Sequence, residues 1–281
     1  MKPLFKWSGG KSKEIPVLDK YKPHHFNTYF EPFIGGGAVW LHLDHSNNIV
    51  GDNFVELIDF YQSVKIHKEE VIDFINSTVK TYNNAVINLD TLPLAIWRKK
   101  HFDQIAKEFY YKYRDNHFNG DFENALKFYL LRQLSFSGML RFSKSGKFNV
   151  PFGWYKTLKV LNYDKDLYKL LDNTKFILGE WSDAVEKATQ EDFVFLDPPY
   201  TRKFQQYSPY GIFGDPEHIK LSRWFKEATS RSLIILNKDD FTYDLYSDYI
   251  VEEYNKRYSI QYRHRMKPSD SNSIHFVAIN Y

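Results

Sequence analysis

The tetrapeptide Asp197-Pro198-Pro199-Tyr200 follows directly on the apolar run Phe193-Val194-Phe195-Leu196. Two prolines fix φ and remove two backbone donors, so a carbonyl at this point can face a ligand with no local N–H competing for it. Asp197 adds oxygens that only accept hydrogen bonds, and Tyr200 adds a flat ring. Acceptors beside a planar ring suit an exocyclic amino group, which presents two donors next to a planar base. A proline-stiffened turn with Asp197 as a cap would use the same four residues for structure alone.

A second cluster, Glu31-Pro32-Phe33-Ile34-Gly35-Gly36-Gly37, follows a short strand-like segment. Its glycines let the backbone turn sharply and approach a ligand closely. It is not a Gly-x-Gly-x-x-Gly fingerprint, because Trp40 stands where the third glycine belongs, so a pyrophosphate site is poorly supported. Asp52 ends the next strand candidate, where an acid can accept hydrogen bonds from ribose hydroxyls; a tight turn with a capping aspartate is the alternative. The third cluster is Lys6-Trp7-Ser8-Gly9-Gly10-Lys11-Ser12. Its Gly-Lys-Ser ending resembles a P-loop, but Phe5 occupies the position of the required glycine and no good strand precedes it, so that reading is rejected.

These clusters need a scaffold that brings strand ends together. Thr28–Phe30, Ile49–Val50, Phe176–Leu178, Phe193–Leu196, Leu233–Leu236 and segments near Ile250–Tyr258 and Ile274–Ile279 read as strands. Apolar runs without polar alternation suit strands buried on both faces of a parallel sheet, and ligands bind such sheets at the carboxyl ends of their strands. Ala38–Leu43 and Leu221–Ala228 read as helices. Residues 55–170 differ: Val55–Ile66, Glu69–Lys80 and Glu123–Leu134 have helical spacing, which predicts a mainly helical insertion splitting the α/β domain in sequence. The 281 residues fit one α/β domain with such an insertion, or two domains.

Composition bounds the function. Aromatic residues make up 18% of the chain, as core, as base-stacking surface or as both. The formal net charge of +3 neither demands nor excludes nucleic acid, since a DNA-binding face needs clustered charge rather than a high total. Candidate patches are Lys144, Lys147, Lys156 and Lys159, and the run Arg257, Arg263, His264, Arg265 and Lys267; each could equally be solvated surface. The absence of cysteine excludes disulfides, thiolate zinc sites and cysteine nucleophiles. No apolar run approaches a membrane span and the N-terminus lacks a signal-peptide core, so a cytoplasmic protein is expected.

Lys6–Lys11, then Glu31–Val39, then Asp197–Tyr200 stand in an order that resembles the adenine-specific DNA methyltransferases related to the Dam enzyme (D12 class, alpha group). Phe136-Ser137-Gly138-Met139-Leu140-Arg141-Phe142 followed by Gly146–Gly153 looks like that family's target-recognition segment. The resemblance implies a Rossmann-like α/β sheet that binds S-adenosylmethionine, formed by residues 1–54 and 171–281, with residues 55–170 as an inserted, mainly helical target-recognition domain. It implies methyl transfer to N6 of a flipped-out adenine in double-stranded DNA. Asp197, Pro198, Pro199 and Tyr200 would be catalytic. Trp7, Lys11, Glu31, Pro32, Phe33, Gly35, Gly37, Asp52, Trp181 and Asp197 would hold the cofactor, with Trp181 flanking its adenine. Lys6, Phe136, Ser137, Met139, Arg141, Asn149 and Pro151 would contact DNA: Arg141 reads a base, and Phe136 inserts near the flipped adenine.

No metal and no membrane partner are expected, and the protein would be a monomer, or a dimer on DNA. Members reading GATC commonly carry Asn where this chain has Ser137, so GATC is a default target and a related short palindrome an alternative. Methylation of a protein glutamine amide is a competing reading, but such enzymes carry Asn in place of Asp197. A catalytically silent DNA-binding protein is another, disfavoured by the intact tetrapeptide and glycine loop.

Overall fold

β4 (Phe193–Leu196) explains its own sequence: Phe193 and Phe195 point into one core, Val194 and Leu196 into another, and all four are fully buried. β5 (Arg231–Asn237) repeats this, with Leu233 and Ile235 on the first side and Ile234 and Leu236 on the second. A strand covered on both faces has no place for polar alternation. In this computed structural model, which describes residues 1–87, 102–200, 211, 213–257 and 272–281, the two strands lie within a seven-stranded sheet of order β3-β2-β1-β4-β5-β7-β6.

The remaining strands are β1 (Tyr29–Glu31), β2 (Asn48–Asp52), β3 (Thr174–Leu178), β6 (Ile250–Arg257) and β7 (Asn272–Ile279). β1 to β5 run parallel; β7 lies antiparallel to β5 and β6 antiparallel to β7. This mixed α/β sheet meets the Rossmann-like expectation. Strand order reverses between β1 and β4, and the crevice at such a switch point is where open α/β sheets place ligands. Glu31 ends β1 and Asp197 follows β4, so sequence positions 166 residues apart meet at that crevice.

Both faces carry helices. One face packs α8 (Trp181–Val185), α9 (Asp215–Glu227) and α10 (Asp240–Tyr246) through Val185, Leu221, Phe225 and Tyr246. The other packs α1 (Ile15–Tyr21), α2 (Ala38–Leu43), α3 (Val55–His67) and α7 (Lys165–Asp172). Between α3 and α7 lie α4 (Glu69–Ile87), α5 (Phe102–Asp115) and α6 (Asp121–Leu134), whose apolar faces join the same continuous core. α3 touches both groups: Tyr61 stacks on Phe176 of β3 at 5.4 Å, while Phe60 meets Phe128 of α6 at 5.2 Å.

After α6 the chain makes a 3₁₀ turn (Phe136–Gly138) and a narrow hairpin. Isolated bridges pair Ser135 with Phe152 and Phe142 with Phe148. Among the described residues no helix is long and apolar enough to cross a membrane, and no group of three or more His, Asp or Glu could hold a metal ion.

Candidate active site at the carboxyl ends of the central strands

The glycine turn after β1 is shaped by what fills it. Gly35 and Gly37 adopt φ of 46° and 65°. A Cβ on Gly35 would meet Trp7 Nε1 at 2.5 Å, and one on Gly36 would meet Trp7 Cβ at 2.6 Å. Only glycine therefore admits the Trp7 ring against this turn. The turn is tied to β2: the Gly35 N–H donates to Asp52 Oδ2 at 3.0 Å and the Phe54 N–H to Asp52 Oδ1 at 3.1 Å. Burial pushes the Asp52 carboxyl up to about 6 against these bonds.

Glu31 lies deeper. Its Oε2 accepts from the Tyr29 hydroxyl at 2.9 Å and the Trp40 N–H at 3.0 Å, and burial pushes its carboxyl up to about 8. Pro32 is buried beside it, and Phe33 packs edge-on to Phe213 at 5.4 Å. Three acceptor groups, Glu31, Asp52 and Asp197, thus stand at the ends of neighbouring strands.

Lys11 crosses to the third. Its Nζ donates to Asp197 Oδ1 at 2.5 Å, to the Tyr200 hydroxyl at 2.8 Å and to the Gly9 carbonyl at 3.3 Å. Among the described residues no other group bonds the Asp197 carboxylate. Burial raises the Asp197 carboxyl above its ordinary value, with the Lys11 charge opposing. Pro198 is buried, while the Pro199 carbonyl accepts from His218 Nε2 of α9 at 3.1 Å. The turn is therefore held from one side by a lysine and from the other by a buried histidine.

A second acid stands behind Lys11 that sequence patterns did not single out. Glu14 is 3% exposed; it accepts from Tyr254 at 2.6 Å and Lys256 at 2.7 Å, and lies 3.1 Å from His275 Nδ1. Its partners come from β6 and β7, more than 200 residues away, so no local spacing signals it. Arg132 was missed as well. This fully buried residue of α6 donates to the carbonyls of Lys6 (2.9 Å) and Gly138, and its guanidinium lies 5.1 Å from the Trp7 ring. It joins the N-terminal cluster to the 136–139 turn.

Around that turn, Phe136 is 44% exposed and Ser137 sits in the left-handed region at φ 54°, ψ 17°. Met139 is half-buried, and Pro151, exposed, gives its carbonyl to the Phe136 N–H at 2.9 Å. Arg141 Nε donates to Asn149 Oδ1 at 2.8 Å and its Nη2 to the Asn149 carbonyl at 2.9 Å, spanning the hairpin. The Lys6 ammonium lies 4.7 Å from the Tyr155 ring centre.

Trp181 is 5% exposed and packs edge-on to Trp224 at 5.7 Å. Lys144, Lys147 and Lys159 are exposed and Lys156 half-buried; Arg263, His264, Arg265 and Lys267 lie outside the described residues. The arrangement offers carboxyl acceptors with a stacking ring at the sheet crevice, and an aromatic and basic hairpin tied to it through Arg132.

The family model described as D12 class N6 adenine-specific DNA methyltransferase matches residues 7–262. The chain is 33% identical to the Type II methyltransferase M.CviBI of Paramecium bursaria Chlorella virus NC1A, over all of both chains. It is 29% identical to the Type II methyltransferase M.MjaIII of Methanocaldococcus jannaschii, over 88% of this chain and 86% of that protein. It is 29% identical to the DNA adenine methylase of Escherichia coli K12, over 70% of this chain and 64% of that one.

Proposed function

The chain belongs to the D12 class N6 adenine-specific DNA methyltransferases, and from that premise we propose that it transfers the methyl group of S-adenosylmethionine to N6 of an adenine flipped out of a short duplex target. GATC is the default target, with a related short palindrome as the alternative that Ser137 leaves open. Residues 55–170 supply the DNA-reading part, with Lys6, Phe136, Ser137, Met139, Arg141, Asn149 and Pro151 at its contact surface. The observation that carries the reading is Asp197 following β4 at the sheet's switch point, beside two prolines and Tyr200.

The residues at the strand ends fit the cofactor. Asp52 offers acceptors to ribose hydroxyls, Trp7 and Phe33 offer apolar surface, and a sulfonium cation favours a crevice lined by carboxyl groups. The bound cofactor supplies a methyl group already activated by the sulfonium charge. The chain's own residues do the rest. The amino nitrogen of adenine is a poor nucleophile because its lone pair is delocalised into the ring. The Asp197 carboxylate and the Pro198 carbonyl accept its two hydrogens, which localises that lone pair, while the Tyr200 ring stacks on the base. Catalysis is then positioning and electrostatics, with no covalent enzyme intermediate. Loss of the methyl would leave S-adenosyl-L-homocysteine, and the amino proton, made acidic once the N–C bond forms, would leave the nitrogen without a strong base. Extruding the base costs a few kcal/mol, offset by Phe136 filling the gap.

The test offers the protein unmethylated phage DNA, RNA and protein in parallel with a radiolabelled methyl donor. Label is expected only in DNA, recovered as N6-methyladenine after digestion. Label confined to protein or RNA, or none in DNA, refutes the reading. Long-read sequencing of DNA from a host expressing the chain identifies the target.

A further inference from the structure

The Lys11 ammonium has three protons and uses all of them, on Asp197, Tyr200 and Gly9. It thereby sits on one of the carboxylate oxygens that an incoming amino group needs. Oδ2 has no partner among the described residues and is open to a substrate donor as it stands, while Oδ1 becomes fully available only when the ammonium yields it. Releasing a 4%-exposed ammonium into the protein interior without an anion is strongly unfavourable. A second anion is beside it. Glu14 Oε2 lies 3.9 Å from the same nitrogen.

Glu14 is built to stay charged and in place. Oε1 accepts from Tyr254 at 2.6 Å and faces His275 Nδ1 at 3.1 Å; Oε2 accepts from Lys256 at 2.7 Å. A carboxylate has about four lone-pair sites. The two hydrogen bonds take one site on each oxygen and His275 crowds Oε1, which leaves the open site on Oε2, the oxygen that faces Lys11. Burial alone would raise the Glu14 carboxyl, yet His275 close beside it and the charges of Lys11 and Lys256 hold it at about 2, so it is anionic at any working pH.

We propose that Glu14 is a positioning residue acting on Asp197 through Lys11: it is the second seat to which the ammonium moves when a substrate amino group takes Asp197. The inference rests on the role of Asp197 proposed above. A displacement of about 1 Å brings Nζ from its present distance to an ordinary charge-assisted hydrogen bond with Glu14. Lys11 exchanges one carboxylate for another and never loses its counter-ion. Tyr254, Lys256 and His275, all on the antiparallel pair β6–β7, brace the receiving seat.

Two measurements decide it. The first is single-turnover methyl transfer to unmethylated phage DNA by the wild type, Glu14→Gln, Lys11→Met and the double variant. Glu14→Gln keeps shape and one acceptor but removes the charge. It is expected to slow transfer about tenfold when Lys11 is present and less than about twofold when Lys11 is already Met, the coupling of residues in contact. Equal slowing in both backgrounds, or a fall in thermal midpoint that accounts for the loss, makes Glu14 merely structural and overturns the proposal.

The second needs neither DNA nor methyl donor: carbamylation of Lys11 by cyanate, followed by peptide mass spectrometry. Loss of the second carboxylate is expected to speed Lys11 labelling severalfold relative to Lys156. An unchanged rate overturns the proposal. A wild-type protein that methylates nothing would instead sink the functional reading, while the labelling experiment would still report on Lys11 and Glu14.

Discussion

Asp197→Ala removes both carboxylate oxygens and leaves the prolines that shape the turn. Methyl transfer is expected to fall at least about a hundredfold, while affinity for plasmid DNA in a filter-binding assay is retained. A fully active variant would end the role given to this residue. Arg141 is held by Asn149 across the hairpin, which orients its guanidinium. Arg141→Ala is expected to relax target discrimination by about 1–3 kcal/mol, read as methylation at sites one base removed from the target. Unaltered discrimination would reduce Arg141 to a phosphate contact. Ser137 occupies a left-handed conformation at φ 54° that Asn adopts several-fold more readily than other non-glycine residues. Ser137→Asn is expected to raise the calorimetric melting midpoint, with relief of about 0.5 kcal/mol. A lowered midpoint would show that the serine hydroxyl has a stabilising contact that outweighs the backbone strain.

At the scale of elements, the sheet was readable because buried strands advertise themselves: Phe193–Leu196 and Leu233–Leu236 are unbroken apolar runs, and both lie between two cores. Helices α3, α4 and α6 showed 3.6-residue spacing. α1 was not anticipated; it is seven residues long and buries one leucine, too little for a period to register. Arg132 gave no signal either, since an arginine in the last turn of a helix usually points to solvent. Here it is an internal strut, and Arg132→Met would leave the carbonyls of Lys6 and Gly138 without their donor. That substitution is expected to cost roughly 2 kcal/mol or more and to open residues 136–139 to limited proteolysis.

β1 carries a pH signature. Glu31 has an ordinary value of 4.5 and is pushed to about 8 in the fold. Across that window the folded chain binds the extra proton, so Glu31 lowers stability as pH rises from 4.5 to 8. Glu31→Gln is expected to flatten the dependence of the urea midpoint on pH there, and an unchanged slope would contradict the assignment.

For the whole molecule, the site belongs to no single stretch of chain. Lys11 meets Asp197 across 186 residues, and Glu14 meets Lys256 across 242. The family resemblance made the Lys11 and Asp197 motifs legible one by one. It did not reveal that they touch, because that contact exists only through the strand order β1-β4. The second-seat cluster was hidden for the same reason: its members are unremarkable in sequence and converge only when β6 and β7 close the sheet's edge.

That geometry has a consequence for synthesis. While the ribosome is still making the chain, β1 and β2 have emerged but their neighbours have not, and β7, which pairs with both β5 and β6, follows all the other described strands. A nascent chain that lacks β7 is therefore expected to be inert toward DNA, with competence arriving only once that strand is made. Stalled chains displaying everything up to residue 257 should leave DNA unmarked; methylation by such arrested chains would mean that the closing strand is dispensable.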